Sequence, residues 1–268
     1  MGIINTSPES FYKKSVKIEP NDISLFAKKL ENDGADVIDV GGLSTAPYLD
    51  TLICPELEIQ RLKRAIQAIR NGCSLPISVD TPRSSVAKEV IKLGIDAIND
   101  VCGLKYDENM APLISKHGIP VIIGAYSRKI NKTTSGKSQF TNRLLMESIE
   151  IAKHAGIEKD NLIVDPCIGF FRSEGKNPFF TRMTKTPWFL RDINILSNIK
   201  TLTKLDFPVC ISISRKSLIG KLFNLEKDER LIPSLILETI AAMSGVNLIR
   251  THSVKETRLA LNTLASLR

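Results

Sequence analysis

The chain repeats one pattern along its whole length: a short apolar run ends in a polar residue, and a helical pattern follows. Such alternation is typical of parallel strands covered by helices. If the strands close into one barrel, their carboxyl ends meet at one mouth, where that architecture carries its chemistry. The polar residues at or just after these ends are Asn5, Asp39, Asp80, Asn99, Asp165, Lys216 and His252. The series therefore predicts one functional site at the mouth.

The periodicity divides the chain into eight strand–helix units. Strands are predicted near 2–5, 36–40, 76–80, 96–99, 119–124, 161–165, 208–213 and 247–251. Helices are predicted near 20–33, 55–71, 82–93, 108–117, 138–155, 190–204, 226–244 and 253–266. Glycines follow six of the helices, where a left-handed residue would end each one: Gly34, Gly72, Gly94, Gly118, Gly156 and Gly245. We therefore predict an α/β fold, a single (β/α)8 TIM barrel, with one domain over residues 1–268.

Composition narrows the class of protein. No run approaches the roughly 18 apolar residues of a membrane span, and the first five residues are too short for a secretory signal. The net charge is +8, but lysine and arginine are scattered rather than gathered with aromatic residues into a stripe. The five cysteines are widely spaced, without a Cys-x-x-Cys pair, which favours reduced thiols. We expect a cytoplasmic protein without nucleic-acid or membrane partners.

Two carboxylates and an amide follow strand ends and are candidates for ligand binding. Asp80 and Asp165 end two predicted strands, and Asn99 ends the strand next to that of Asp80. A buried carboxylate is costly unless it meets a donor array, and a heterocycle with a guanidine-like edge supplies one. The alternative is that each aspartate caps the following helix. Three such strand ends at one mouth favour ligand binding.

Basic residues follow the last two predicted strands. The segment 214–217, SRKS, comes directly after an apolar strand, and Arg250 and His252 follow the next one. Loops at these positions of a barrel frequently bind phosphate, because cations and helix amides favour anions there. A phosphate or diphosphate site is the functional reading. The alternatives are a solvent-exposed Lys216 and a structural His252.

Three connections lack their own periodicity. Segments 7–20 and 42–55 are longer than a barrel requires, and such stretches are usually binding loops. Segment 169–187 and the adjoining Trp188 bring aromatic and basic side chains together. This cluster could clamp a flat ligand or pack a helix on the barrel.

Taken in order, several segments resemble the signatures of the dihydropteroate synthase family. The first, residues 2–11 (GIINTSPESF), resembles that family's Gly-Ile-Leu-Asn-Val-Thr-Pro-Asp-Ser-Phe run. The others are residues 39–45 (DVGGLST), 77–81 (ISVDT), 99–101 (NDV), 165–170 (DPCIGF), 214–217 (SRKS) and 249–252 (IRTH). Each is weak alone, but the ordered set over nearly the whole chain is specific.

The resemblance implies a transferase of folate biosynthesis. It would join a 4-aminobenzoate-type arylamine to 6-hydroxymethyl-7,8-dihydropterin diphosphate and release pyrophosphate. By position, Asp80, Asn99 and Asp165 would hydrogen-bond the pterin. Lys216 would lie near the pterin carbonyl edge, and Arg250 would lie over the ring and reach the diphosphate. Lys216, Arg250 and Asp165 would be the catalytic residues.

The resemblance also assigns the second half of the site. Asn5 would help to hold Mg²⁺ as cofactor, and Thr45 and His252 would bind the diphosphate. Ser217 and Phe170 would lie near the amine-bearing ring. A homodimer is implied by the resemblance alone.

The chain departs from the family's signatures around the amine pocket. Leu43 and Ala46 stand where the family has Glu and Arg, and Phe171 and Arg172 where it has Gly and Lys. Glu9 replaces an aspartate. Two alternatives therefore stay open beside the synthase. One is a folate-dependent methyltransferase-type pterin-binding barrel, and the other is a binding-only synthase relative with decayed loops.

Overall fold

The structure is a computed structural model that describes residues 1–10, 12–130 and 138–267. Phe11, the last residue of the first signature, lies outside the described residues. Six parallel strands pair in chain order: β1 (Gly2–Asn5), β2 (Ile38–Gly41), β3 (Ile77–Asp80), β4 (Ala97–Asp100), β5 (Val121–Gly124) and β6 (Leu162–Asp165). The other strands are β7 (Phe171–Arg172), β8 (Thr181–Arg182), β9 (Cys210–Ile211) and β10 (Leu248–Ile249).

Strands β9 and β10 close the sheet into a barrel. They pair in parallel with each other, and parallel bridges join Val164 to Val209 and Gly2 to Thr251. Strand β6 therefore neighbours β9, and β10 returns to β1. The predicted eight-stranded parallel barrel is confirmed.

Helices surround this barrel and follow its strands. Their bounds are α1 (Pro20–Asn32), α2 (Pro55–Gly72), α3 (Ser84–Ile91), α4 (Met110–His117), α5 (Ser138–His154), α6 (Trp188–Ser197), α7 (Lys200–Thr203), α8 (Ser217–Phe223), α9 (Leu231–Met243) and α10 (Val254–Ala265). Proline begins α1 and α2, where its missing N–H has no helical partner to lose. On α1 the buried residues are Ile23, Ala27 and Leu30, so one stripe of the helix faces the barrel.

Alternation along the strands separates an outer core from the barrel interior. Val40, Val79 and Ile98 belong to the large apolar cluster between strands and helices. Ile122 and Cys210 belong to a second, smaller cluster, which also contains Met1. Because successive side chains of a strand point to opposite faces, the polar residues between the outer-core positions face the barrel axis. The interior can therefore hold polar side chains above an apolar base.

Five of the six predicted helix-ending glycines have the expected left-handed backbone: Gly34, Gly94, Gly118, Gly156 and Gly245. The prediction for Gly72 is wrong, because Gly72 is the last residue of α2. An added Cβ there would lie 2.3 Å from Ser24 Oγ and 2.6 Å from the Ser24 carbonyl oxygen. Close packing of α1 against α2 therefore explains this glycine.

Three elements differ from the sequence prediction. Helix α8 was not predicted, and the predicted helix 190–204 is divided into α6 and α7. Segment 169–187, expected to be irregular, contains the short parallel ribbon of β7 and β8. None of these differences moves the strand ends that form the mouth. Across residues 1–10, 12–130 and 138–267, no helix has the length and hydropathy that crossing a membrane requires.

Candidate active site

The three predicted acceptors lie together at the carboxyl ends of the strands. Asp80 ends β3 and is in register with Asn99 of β4, while Asp165 ends β6. All three line one inner compartment of the mouth, together with Ser212 and Cys167. Parallel neighbours place their strand ends side by side, so register alone brings Asp80 and Asn99 together.

Arg250 crosses the barrel interior to reach two aspartates. Its Nε donates to Asp39 Oδ2 over 2.6 Å, and Nη2 donates to Asp80 Oδ2 over 3.0 Å. Asn99 Nδ2 donates to the same Asp39 oxygen over 3.2 Å. Asp39 is fully buried, so Arg250 is held by charges that water does not screen. Asp39 thus fixes the guanidinium that faces the compartment.

The electrostatics of the compartment are set by burial. Burial raises the pKa of Asp80 to about 7, with Asp39 adding to the shift and Arg250 opposing it. Burial likewise raises the pKa of Asp165. Burial lowers the pKa of Lys216 to about 8, and the charge of Arg250 adds to that effect. An acceptor, Asp80, and a cation, Lys216, both with pKa values near neutrality, therefore share one cavity, which is typical of functional sites.

Three of the four basic residues predicted at the anion site line the opposite flank of the mouth, and the fourth, Arg215, does not. Lys216, Arg250 and His252 all line the outer compartment. Arg215, in contrast, donates from Nη1 to the carbonyl oxygens of Lys227 and Asp228 and does not line this compartment. The prediction that Arg215 belongs with the anion-binding residues is wrong, because its guanidinium is used to anchor the loop before α9.

His252 is a neutral member of this flank at neutral pH. Burial, with the positive charges of Arg250, Lys216 and Arg215, lowers the pKa of His252 well below its ordinary value. The ring lies edge-on against Tyr12, with 5.0 Å between ring centroids. A neutral imidazole can still hydrogen-bond an anion, and a bound anion would favour its protonation.

The outer compartment lies between the two long loops and the last strands, with an empty volume of about 620 Å³. It shares Asp80, Phe170, Lys216 and Arg250 with the inner compartment. Its other lining residues include Asn5, Ser10, Thr45, Ala46, Tyr48, Arg172, Ser217 and His252. All ten predicted site residues therefore line one or both compartments of a single mouth. Their individual roles stay predictions.

Arg61 of α2 links the two long loops at their bases, through an ion pair with the first and a hydrogen bond with the second. Both guanidinium nitrogens of Arg61 lie 3.1 Å from the carboxylate oxygens of Glu9, and Nη1 also donates to the Gly42 carbonyl oxygen over 3.2 Å. Ser7 Oγ donates to Glu9 as well. Although burial opposes it, these hydrogen bonds lower the pKa of Glu9 to about 2. Glu9 is therefore charged and holds the first loop against the start of the second.

The departures from the family signatures form their own packing. Leu43 is buried in an apolar cluster with Cys102, Tyr126 and Phe179. Tyr126 belongs to the segment after β5, and Phe179 lies between β7 and β8. Leu43, which stands where the family has a glutamate, therefore packs against apolar side chains from two other connections. Ala46 lines the outer compartment. Its methyl group leaves space where a longer side chain would reach into the mouth.

Most aromatic residues of the segment after β6 serve packing. Phe171 and Phe179 are fully buried. The Arg191 guanidinium covers the Phe171 ring at 3.6 Å from the centroid. Phe170 alone lines both compartments, with Lys216 Nζ 4.6 Å from its ring centroid. The clamp hypothesis for a flat ligand therefore narrows to Phe170.

Asn5 is suited to a hard metal ion bound with substrate. Its Nδ2 donates to Ser15 Oγ over 2.8 Å, which leaves the side-chain carbonyl oxygen as the possible ligand atom. No group of three His, Cys, Asp or Glu residues within the described part of the chain could hold a metal by itself. Mg²⁺ commonly binds through one or two protein oxygens together with substrate phosphates, and this donor set fits that mode.

Two interactions at the mouth are not predicted from the sequence: the contact of Asp39 with Arg250 and the stacking of Arg172 on Trp188. Asp39 was recognised as a strand-end residue, but its contact with Arg250 joins residues 211 positions apart and only the closed barrel brings them together. The sequence indicates Arg172 as a member of the aromatic and basic cluster of segment 169–187 and as a departure from the family signature. Its position over Trp188 depends on the ribbon of β7 and β8 and is not predicted. The sole sequence signal for Asp39 was its place in the series of polar strand ends.

The fold and mouth define a class: a parallel (β/α)8 barrel whose cavity places strand-end carboxylates opposite cations. The family model described as pterin binding enzyme matches residues 1–252. The chain is 31% identical over 256 residues to the dihydropteroate synthase of Bacillus subtilis (strain 168), covering 96% of this chain and 84% of the relative. It is also 31% identical over 278 residues to the inactive dihydropteroate synthase 2 of Mycobacterium leprae (strain TN), covering 100% and 89%.

Comparison with solved structures indicates the same family. The dihydropteroate synthase from Coxiella burnetii in complex with pteroic acid has a TM-score of 0.86 at 32% identity, covering 100% of this chain and 92% of that one. The chain belongs to the pterin-binding enzyme family, in its dihydropteroate synthase group.

Proposed function

We propose that the chain is an active dihydropteroate synthase. It joins a 4-aminobenzoate-type arylamine to the methylene carbon of 6-hydroxymethyl-7,8-dihydropterin diphosphate, with release of pyrophosphate, in folate biosynthesis. The observation that carries this proposal is the pair of connected compartments that share Asp80, Phe170, Lys216 and Arg250. Carboxylates face the inner compartment, which suits the donor edge of a pterin, and cations face the outer one, which suits its phosphorylated tail.

The inner compartment would bind the pterin through complementary hydrogen bonds. Asp80 and Asp165 accept from the ring N–H groups, and Asn99 can both donate and accept. Lys216 donates to the carbonyl edge, and the Arg250 guanidinium lies against the ring face. Buried carboxylates that lack a full set of donors gain most from such a ligand. Asp80 Oδ1 is buried without a hydrogen-bond partner, which supports this assignment.

The outer compartment would bind the diphosphate. From the last strand, Arg250 neutralises charge on its oxygens and His252 hydrogen-bonds them. Thr45 supplies a hydroxyl from the second loop. Asn5 would hold Mg²⁺ through its side-chain oxygen, in combination with the diphosphate. Mg²⁺, when bound, neutralises charge on the phosphate oxygens and assists departure of the leaving group.

The chemistry needs charge stabilisation and no enzyme nucleophile. The carbon–oxygen bond to the diphosphate breaks with its electron pair on the leaving group, and the cationic methylene is conjugated to the electron-rich dihydropterin. Strand-end carboxylates stabilise that cation, Lys216 holds the pterin by its carbonyl edge, and Arg250 stabilises the departing oxygens. The arylamine nitrogen forms the new carbon–nitrogen bond and releases a proton to solvent. Phe170 and Ser217 would orient the amine ring and exclude water.

The direct test is pyrophosphate release from protein incubated with Mg²⁺, the pterin diphosphate and 4-aminobenzoate. Turnover that stops with EDTA and returns with Mg²⁺ is the expected result. Pterin binding without turnover would support the binding-only relative, a reading favoured by Ala46 and by the similarity to the inactive protein of Mycobacterium leprae. Methyl transfer from a reduced folate would instead support the methyltransferase-type barrel.

The proposal includes a homodimer formed through one apolar face. Helices α6, α8 and α9 surround an apolar groove that includes Leu222, Phe223, Ile236 and Ile240. These side chains are all exposed, and contiguous apolar surface of this kind usually marks a protein contact. A second copy would cover it. The five free cysteines suit a reducing compartment such as the cytoplasm.

Sedimentation equilibrium tests the dimer. Ile236→Glu should shift the protein to monomer, because a charge in a buried apolar contact is costly. Leu25→Glu, at an exposed apolar position on α1 outside the groove, is the control and should leave the dimer intact. A wild-type monomer at micromolar concentration would reject the proposal.

A further inference from the structure

Arg172 is a buried cation at the edge of the outer compartment. It belongs to β7, is 7% exposed and lines the same cavity as Lys216 and Ser217. An added Cβ on Gly169 would lie 3.9 Å from both Arg172 Nη2 and Lys216 Nζ. The two cations therefore approach the mouth beside one another.

The Arg172 side chain is held in place without an anion. Its Cζ lies 3.5 Å from the ring centroid of Trp188, and Nη2 donates to Ser217 Oγ over 2.6 Å. Nη1 is buried and has no hydrogen-bond partner. Among the described residues, no ion pair within 4.0 Å includes Arg172. Asp192, whose charge acts on Arg172, is paired with Arg191 over 3.0 Å.

An uncompensated buried guanidinium favours an incoming anion. Burying an unpaired charge is costly, and that cost is recovered when a carboxylate enters and accepts from the guanidinium. Stacking on an indole fixes the plane of the guanidinium but leaves its N–H edge available. Trp188 fixes the plane of the Arg172 guanidinium, and Nη2 is bonded to Ser217. Nη1 lacks a hydrogen-bond partner and can donate to an anionic group in the cavity.

The order of the compartments decides which anion this is. The reacting amine nitrogen must approach the methylene carbon between the pterin and diphosphate positions, near the residues that both compartments share. The opposite end of the amine ring then points outward, along Phe170 towards Ser217 and Arg172. The diphosphate lies on the other side, beside Arg250 and His252.

We propose that Arg172 binds a carboxylate on the ring of the arylamine substrate and is the residue that makes the enzyme select acidic arylamines. This inference rests on the proposed function. It assigns the amine's anionic group to a side chain from the ribbon after β6, supported from beneath by Trp188.

The test compares 4-aminobenzoate with its uncharged amide, 4-aminobenzamide, by pyrophosphate release. Wild type should prefer the acid by about 10- to 100-fold in kcat/KM, since a charged hydrogen bond is lost with the amide. In Arg172→Gln the preference should fall close to unity through the KM of the acid, while the KM of the pterin diphosphate stays unchanged. Arg172→Lys should retain part of the preference, because the charge remains.

Arg182 provides the matched control. It is in register with Arg172 across the ribbon, is exposed, and donates to the Ser173 carbonyl oxygen. Arg182→Gln should leave the preference for the acid as in wild type. Equal preference in Arg172→Gln and wild type, or a rise in the KM of the pterin diphosphate alone, would overturn the assignment.

Calorimetric binding separates this inference from the proposed function. If wild type shows no turnover, titration with pteroate and with pteroate amide still measures the preference of the protein for the carboxylate over the uncharged amide. Tighter binding of the acid that disappears in Arg172→Gln would support the role of Arg172 even in a binding-only protein. Equal binding of acid and amide by wild type would overturn it, whether or not the protein is active.

Discussion

Replacing Asp39 with asparagine tests whether this buried carboxylate holds Arg250. The change keeps the shape of the side chain and removes its charge. Asp39 Oδ2 accepts from Arg250 Nε over 2.6 Å and from Asn99 Nδ2 over 3.2 Å, and the residue is fully buried. Arg250 would then form an ion pair with Asp80 alone. Breaking a buried pair from one side costs about 3–5 kcal/mol, so Asp39→Asn, which retains an acceptor, should lose about 3 kcal/mol of unfolding free energy.

The assay is urea denaturation, combined with calorimetric titration of the pterin. Asp36→Asn is the matched control, because Asp36 precedes the same strand and pairs with Arg258 over 2.6 Å, but its side chain is 73% exposed. An exposed pair contributes about 0–1 kcal/mol, so the control should change little. We expect pterin affinity to fall by at least about tenfold in Asp39→Asn alone, because the guanidinium loses its orientation. Equal stability losses in the two variants, or unchanged pterin affinity in Asp39→Asn, would refute the positioning role.

Three further predictions concern the mouth and its scaffold. The kcat/KM for the pterin diphosphate should be bell-shaped in pH: it falls below about 7 as Asp80 takes a proton and above about 8 as Lys216 loses one, and Asp80→Asn should remove the acidic limb. Lys216→Ala should lower kcat/KM by more than about tenfold at neutral pH, whereas near-normal kinetics would remove Lys216 from the site. Gly72→Ala should lower the unfolding free energy by about 1–3 kcal/mol, measured by denaturation, because its Cβ would meet Ser24 at 2.3 Å; an unchanged midpoint would contradict the close-packing explanation.

The fold could be predicted from local patterns because a barrel of this kind is built from consecutive units. Each strand of residues such as 36–40 or 76–80 pairs with the next strand along the chain, so order in sequence gives order in space. The short α8 and the ribbon of β7 and β8 escaped prediction. They contain few residues, and packing against their neighbours rather than periodicity stabilises them.

The part of the site formed by residues at the carboxyl ends of strands could be predicted from the sequence. Asp80, Asn99 and Asp165 were found because position at a carboxyl end is visible in the sequence. Arg215 was misplaced, because adjacent residues of one loop can point in opposite directions and its anchoring partners lie in the later segment around Lys227. Contacts across the barrel, such as that of Asp39, depend on closure and have no local signature.

Trp188 is the single tryptophan of the chain, and the Arg172 guanidinium lies directly over its indole ring. Indole emission responds to the electric field of an adjacent charge. A ligand that neutralises Arg172 should therefore alter the intrinsic fluorescence of the whole protein, with no other indole to obscure the signal. The molecule thus carries its own optical reporter beside Arg172, and occupancy of this end of the mouth, where we propose that the arylamine carboxylate binds, can be followed in real time without a label.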